Sequence, residues 1–272
     1  MSGEPQNERQ NSLFAAIDDV TIYEQPLSER IRAFLRLEHL FDLIDNNING
    51  TSEWHSRTAM AGLIEVTDLL SRFDLKAELI KELERHAGVL SALQQNPGVD
   101  PQRLQQALSE LTELLTTLRS NSCQPAQVLR KDELVYAIKQ RLPIPGGTCN
   151  FDLPAYHYWL TRPVRSRIEH LHYWFNDLRV IKDSVDLALG MIRDSAHPTQ
   201  QVATTGFYQQ PVDPNAPCQL VRVILSTETN AFPEISGGKH RFTIRFLEQS
   251  TTASRPAQTD VDVPFELQCC TL

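Results

Sequence analysis

The hydrophobic period of this chain changes near residue 199, and that change restricts the possible folds more than any single motif. Between Pro26 and Ser195 apolar residues recur every three or four positions. From Thr199 onward they alternate. A period of 3.6 is the signature of a helix with one buried stripe, and a period of two is that of a strand with one buried face. The clearest alternation is Lys239-His-Arg-Phe-Thr-Ile-Arg-Phe246. His240, Phe242, Ile244 and Phe246 fall on one face. Lys239, Arg241, Thr243 and Arg245 fall on the other, with cations repeating about every 7 Å along the strand. Gly237-Gly238 is read as a positive-φ turn leading into it. No acidic residue lies between Ile235 and Phe246, although the whole chain has 26 Lys+Arg against 34 Asp+Glu.

The helical half is punctuated by caps and breaks. Ser28 is placed to cap a first helix reaching about Asn46, with Leu27, Ile31, Phe34, Leu35, Phe41 and Ile44 as its core stripe. A second helix is expected over Ser56 to Ser71. Asp74 opens a third, whose inward residues include Leu79, Leu83, Leu90 and Leu93, and Asn96-Pro97-Gly98 ends it. Asp100-Pro101 restarts the pattern with Asp at the cap and Pro at the first helical position. Asp132 opens a fifth helix. Pro143 to Asn150 is a rigid loop, after which Asp152 is expected to cap a short helix from Pro154. Pro163 to Ser195 is helical with a break near Asn176-Asp177.

Strands are expected at Val202–Gln209, Leu220–Ser226, His240–Leu247 and Asp260–Leu267, with a short β-branched segment near Ile22 joining them. The expected class is therefore α+β: a mostly helical body plus a C-terminal antiparallel β domain, joined by a short N-terminal strand. The expected organisation is a flexible tail over 1–16, a strand over 17–25, a helical domain over 26–198 and a β domain over 199–272.

The totals narrow the functional classes. A net charge of −8 argues against broad nucleic-acid binding, which needs an extended basic surface. On the face that carries the cations, no aromatic side chains are interleaved among them to make a base-stacking platform. No apolar run approaches the roughly 20 residues that span a bilayer, so no direct membrane insertion is expected. Met1 to Asn11 has no apolar segment of the secretory kind, which points to the cytoplasm. The five cysteines include no C-x-x-C pair and suit reduced thiols.

Catalytic and metal sites have weak signals. On a helix, His170 and His172 point about 200° apart and cannot share one ion, so no metal or cofactor is expected. Pro145-Gly146-Gly147 and Gly237-Gly238-Lys239 lack the spacing of phosphate loops. Cys149 and His157 give the strongest enzyme reading, a thiol with a base, but their spacing does not place them in contact. A carboxylate-based enzyme and a weak nucleic-acid-binding module have less support still.

Basic residues carry more information. Arg32, Arg36 and His39 lie at i, i+4 and i+7 on one ridge, with Glu29 or Glu38 as surface partners. Arg72 closes the second helix, where it complements the helix dipole or reaches a partner carboxylate. The row of Lys239, Arg241 and Arg245 is the strongest candidate site, because Arg forks match carboxylates.

Several blocks resemble the ZapD family of bacterial cell-division proteins. They are Tyr23-Glu-Gln-Pro-Leu27, Glu29 to Glu38, Ala77 to Leu83, Lys139 to Pro154 with His157 and Trp159, Gly206 to Gln209, Ile235 to Phe246, and Phe265 to Cys270. In order, they cover about residues 20 to 270. The resemblance implies a non-enzymatic homodimer that binds the C-terminal peptide of FtsZ and cross-links its filaments at the mid-cell division site. It implies that Arg72, Arg241 and Arg245, assisted by Lys239, bind that peptide. It assigns Arg32, Arg36 and His157 to bundling or accessory contacts. Glu133 departs from the pattern, occupying a position that is basic in a relative.

Overall fold

The computed structural model describes residues 20–72, 74–95, 98–214, 217–238 and 240–271. The expected tail over 1–16, the Asn96-Pro97 break and Lys239 lie outside the described residues. The chain divides into two compact units, Met1–Arg32 with Ile192–Leu272, and Ala33–Met191.

Nine α-helices are assigned among the described residues: α1 (Glu29–Ile48), α2 (Glu53–Arg72), α3 (Leu75–Ala92), α4 (Pro101–Arg119), α5 (Gln127–Lys131), α6 (Glu133–Arg141), α7 (Pro154–Leu160), α8 (Val164–Asn176) and α9 (Arg179–Asp194). Their boundaries follow local chemistry. Ser28 Oγ accepts from Ile31 N at 3.3 Å, Asp74 Oδ1 from Ala77 N at 3.2 Å, and Asp100 Oδ1 from Gln102 N at 2.9 Å. Each cap satisfies backbone donors that have no partner within the helix. Asp132 has two uses. Oδ1 accepts from Leu134 N at 2.9 Å and Val135 N at 3.0 Å, while Oδ2 accepts from the Trp174 indole at 3.0 Å.

Asp152 does not cap α7. The N-cap is Leu153, without a side-chain bond, and Asp152 Oδ2 instead accepts from the Cys149 thiol at 3.4 Å. Pro154 at the start lacks a donor, which lowers the need for a cap. Leu35, Leu90 and Leu93 are only half-buried, whereas Leu37 is fully buried and completes the α1 stripe. Charged and polar side chains also enter the helical core. Arg167 donates to Ser56 Oγ at 2.7 Å and to the carbonyls of Thr51 at 2.8 Å and Ser52 at 3.2 Å. Fully buried His86 Nε2 lies 3.0 Å from fully buried Glu82 Oε1 one helical turn away.

Among the described residues the β unit contains two four-stranded sheets. In the first, β1 (Val20–Pro26), β4 (Leu220–Ser226), β8 (Val263–Cys270) and β2 (Thr199–Ala203) lie in that order. In the second, β3 (Phe207–Pro211), β6 (Arg241–Glu248) and β5 (Phe232–Gly237) lie in order, with β7 (Ala257–Gln258) on β6. All pairs are antiparallel. The apolar faces meet in one core that includes Val221, Val223, Phe265 and Leu267 from one sheet and Phe242, Ile244 and Phe246 from the other. The rings of Phe246 and Phe265 lie 5.1 Å apart across it.

Several β expectations change, and the strand expected over Asp260–Leu267 is observed at Val263–Cys270. Val202–Gln209 is not one strand. Thr205 (φ 48°) and Gly206 (φ 70°) turn the chain from β2 in the first sheet to β3 in the second. A Cβ on Gly206 would sit 2.7 Å from Thr259 O, so the turn admits only glycine without rearrangement. β5 and β7 have no counterpart among the expected strands; both pair with β6 in the second sheet. Gly237 ends β5 and is not a positive-φ turn residue. A Cβ there would meet Leu27 Cδ2 at 2.5 Å and Phe242 Cβ at 3.0 Å, so the flexible Leu27 side chain would have to shift. The hairpin closes through Gly238 N to Arg241 O at 3.0 Å.

A candidate anion-binding face on the second sheet

β6 alternates as its sequence requires. Phe242, Ile244 and Phe246 are buried, while Arg241 and Arg245 are exposed. Strand register determines their neighbours. Arg245 lies between Phe207 on β3 and Glu234 on β5, Thr243 between Gln209 and Ser236, and Arg241 opposite Pro211. Because side chains across a ladder share a face, these residues form one surface. Phe207 is 42% exposed, and Leu247 and Phe232, at the end nearest Arg245, are half-buried. The surface is thus cationic with an apolar margin. Arg241 and Arg245 are separated by four residues, about 13 Å along the strand.

The two arginines differ. Arg245 Nη2 is ion-paired with Glu234 Oε2 across the strands, and both side chains are about half exposed, at 54% and 52%. Arg241 makes no ion pair among the described residues. Sequence reading misses Glu234 and Phe207. Glu234 directly precedes the stretch free of acids, and only the hairpin register folds it back beside Arg245. Phe207 falls inside the longer strand expected from the sequence.

The remaining candidate residues are placed as follows. Arg72 is exposed at the last turn of α2, in the other unit. Arg32 Nε donates to Glu29 Oε1 at 3.1 Å, so the surface pairing expected there is present. Arg36 and His39 are exposed on the same helix. His157 is exposed on α7.

Neither a thiol–base pair nor a histidine metal site is assembled by these residues. The thiol of Cys149 engages Asp152 rather than His157. His170 Nδ1 accepts from the Trp159 indole at 3.0 Å, and His172 Nε2 lies 2.9 Å from Asn49 Oδ1. The two histidines serve separate partners. Among the described residues no group of three or more His, Cys, Asp or Glu is arranged to hold a metal. No described helix is long and apolar enough to cross a membrane.

Residues 35–245 match the family model for ZapD, described as a cell division protein. The chain belongs to the ZapD family. Among its relatives is the cell division protein ZapD of Methylococcus capsulatus, 41% identical over 92% of this chain and 98% of that protein. Those of Aromatoleum aromaticum and Coxiella burnetii are each 37% identical, covering 93% and 91% of this chain and 98% and 96% of theirs. ZapD membership places the chain among proteins of cell division. The match to the family model extends through Arg245, and so includes both exposed arginines of β6.

Proposed function

We propose that this protein is a non-enzymatic adaptor that binds the acidic, partly apolar C-terminal peptide of FtsZ and cross-links FtsZ filaments at the division ring. The observation that carries the reading is the β6 surface, where Arg241 and Arg245 stand exposed, with Phe207 beside Arg245. Arginine forks orient carboxylates, and the apolar margin supplies burial. Arg72 and Lys239 assist, while Arg32, Arg36 and His157 belong to accessory bundling contacts. One site per protomer makes a binder. A homodimer carrying two sites makes a cross-linker, whose avidity exceeds that of either site without any new contact. The protein would act in the cytoplasm at mid-cell.

Co-sedimentation with FtsZ polymers tests this reading. The wild-type protein should pellet with full-length FtsZ and remain in the supernatant with tail-deleted FtsZ. Arg241→Glu combined with Arg245→Glu should reduce co-pelleting at least tenfold while leaving the folded dimer intact. Co-pelleting that persists without the tail would refute the proposed mode, and co-pelleting unaffected by the charge reversals would remove these arginines from it.

A further inference from the structure

The proposed binding face carries an anion of its own. Glu234 is fixed by the β5–β6 register directly beside Arg245, and its carboxylate occupies that guanidinium in the free protein. Arg241, four positions along the same strand, makes no ion pair among the described residues. Of the two described arginines of the row, one is therefore engaged and one is available. We propose that Glu234 is a specificity-determining residue, an internal competitor that an incoming carboxylate must displace or share to reach Arg245.

The physical argument is one of exchange. A surface ion pair holds its partners weakly, because water and salt screen both charges. Glu234 and Arg245 are each about half exposed, so their pair can open without burying an unpaired charge. A ligand carboxylate at Arg245 must replace an interaction already made, whereas one at Arg241 has no such competitor. A weakly anionic ligand gains little at Arg245. A peptide with acids spaced to reach both arginines, plus an apolar group for Phe207, recovers the cost. The competitor thus raises the threshold against indiscriminate anion binding, a form of specificity built by opposition to unwanted partners. It also accounts for how an exposed cationic row can stay selective. This inference rests on the proposed peptide-binding function.

The test uses the full chain and a fluorescently labelled FtsZ C-terminal peptide, with binding followed by anisotropy at low and physiological salt. Glu234→Gln should tighten binding about two- to fivefold, the scale of one exposed ion pair. The gain should shrink in the Arg245→Gln background, because no guanidinium is then left to compete for. It should also vanish for a peptide whose acids are replaced by amides. Binding that is unchanged or weakened by Glu234→Gln would overturn the proposal. So would an equal gain with and without Arg245, since that reports only general repulsion of the peptide. Failure of the underlying function has a different signature: Arg241→Gln with Arg245→Gln would leave peptide binding unaltered.

Discussion

Among the described residues the β sandwich contains two glutamate–arginine clusters, one on each sheet, and they differ chiefly in exposure. On the first sheet Glu24 of β1 receives Arg193 through Nε at 2.8 Å and Nη2 at 2.7 Å, and Arg222 of β4 through Nε at 2.8 Å. The three side chains are only 16–23% exposed. Arg222 also donates to Gln268 Oε1 at 2.6 Å, and Gln268 Nε2 donates to Ala196 O at 2.9 Å. On the second sheet Glu234 and Arg245 form a single pair, open to water on their outer side. The same two residue types therefore act as a fastening in one place and as an exchangeable contact in the other. A screened pair dissociates at little cost, but a half-buried network strands charges when it opens.

Removing Glu24 should produce the larger effect. Glu24→Gln would leave two clustered guanidinium groups without their shared carboxylate, where β1, β4 and the last turn of α9 meet. We expect a loss of about 2–3 kcal/mol, below the range for fully buried pairs because the cluster retains some solvent contact. Urea unfolding monitored in the β unit should show a lower midpoint with an unchanged slope. A midpoint within experimental error of wild type would mean that the network contributes register rather than stability.

Acidification should separate the clusters next. Burial pushes the Glu24 carboxyl up, but its bonds and ion pairs with Arg193 and Arg222 outweigh burial and hold it below its ordinary value of 4.5. A carboxyl with a depressed folded pKa contributes stability that is present above the unfolded value. That stability is lost as pH falls through the folded value. Wild-type stability should therefore decline from about pH 5 downward, and Glu24→Gln should flatten part of that slope. An identical acid profile in the two proteins would contradict the assignment.

How far these features can be read from sequence depends on whether their causes are local. Asp74, Asp100 and Asp132 mark helix starts because a cap acts within three residues. The facing of Arg241 and Arg245 follows from alternation along a single strand. Glu234 beside Arg245 requires the hairpin register, and Glu24 between Arg193 and Arg222 requires pairings across some 170 and 200 residues. The division of 202–209 between two sheets depends on two consecutive positive-φ residues, one of them Thr205, which composition does not flag. Arg167 gives no signal either, since its acceptors at Thr51, Ser52 and Ser56 lie more than 100 positions away. Within the candidate site the cations are legible. The acid that restrains one of them, and the aromatic beside it, are not.

The smallest expected effect is the most diagnostic for the comparison. Glu234→Gln should change stability by no more than about 0.5 kcal/mol, since an exposed pair contributes little and its loss leaves Arg245 solvated. The same substitution is expected to alter peptide affinity measurably. A residue that barely affects unfolding yet shifts binding is acting on the ligand rather than on the scaffold. Glu24→Gln should show the opposite pattern, with reduced stability and, in the protein that remains folded, peptide affinity close to wild type. Should Glu234→Gln instead destabilise the sandwich as much as Glu24→Gln, the β5–β6 pair would be a second fastening, and exposure would no longer separate the two clusters. Measuring unfolding midpoints and peptide affinity for both variants therefore tests whether solvent access, rather than residue type, decides which ion pair the protein can open.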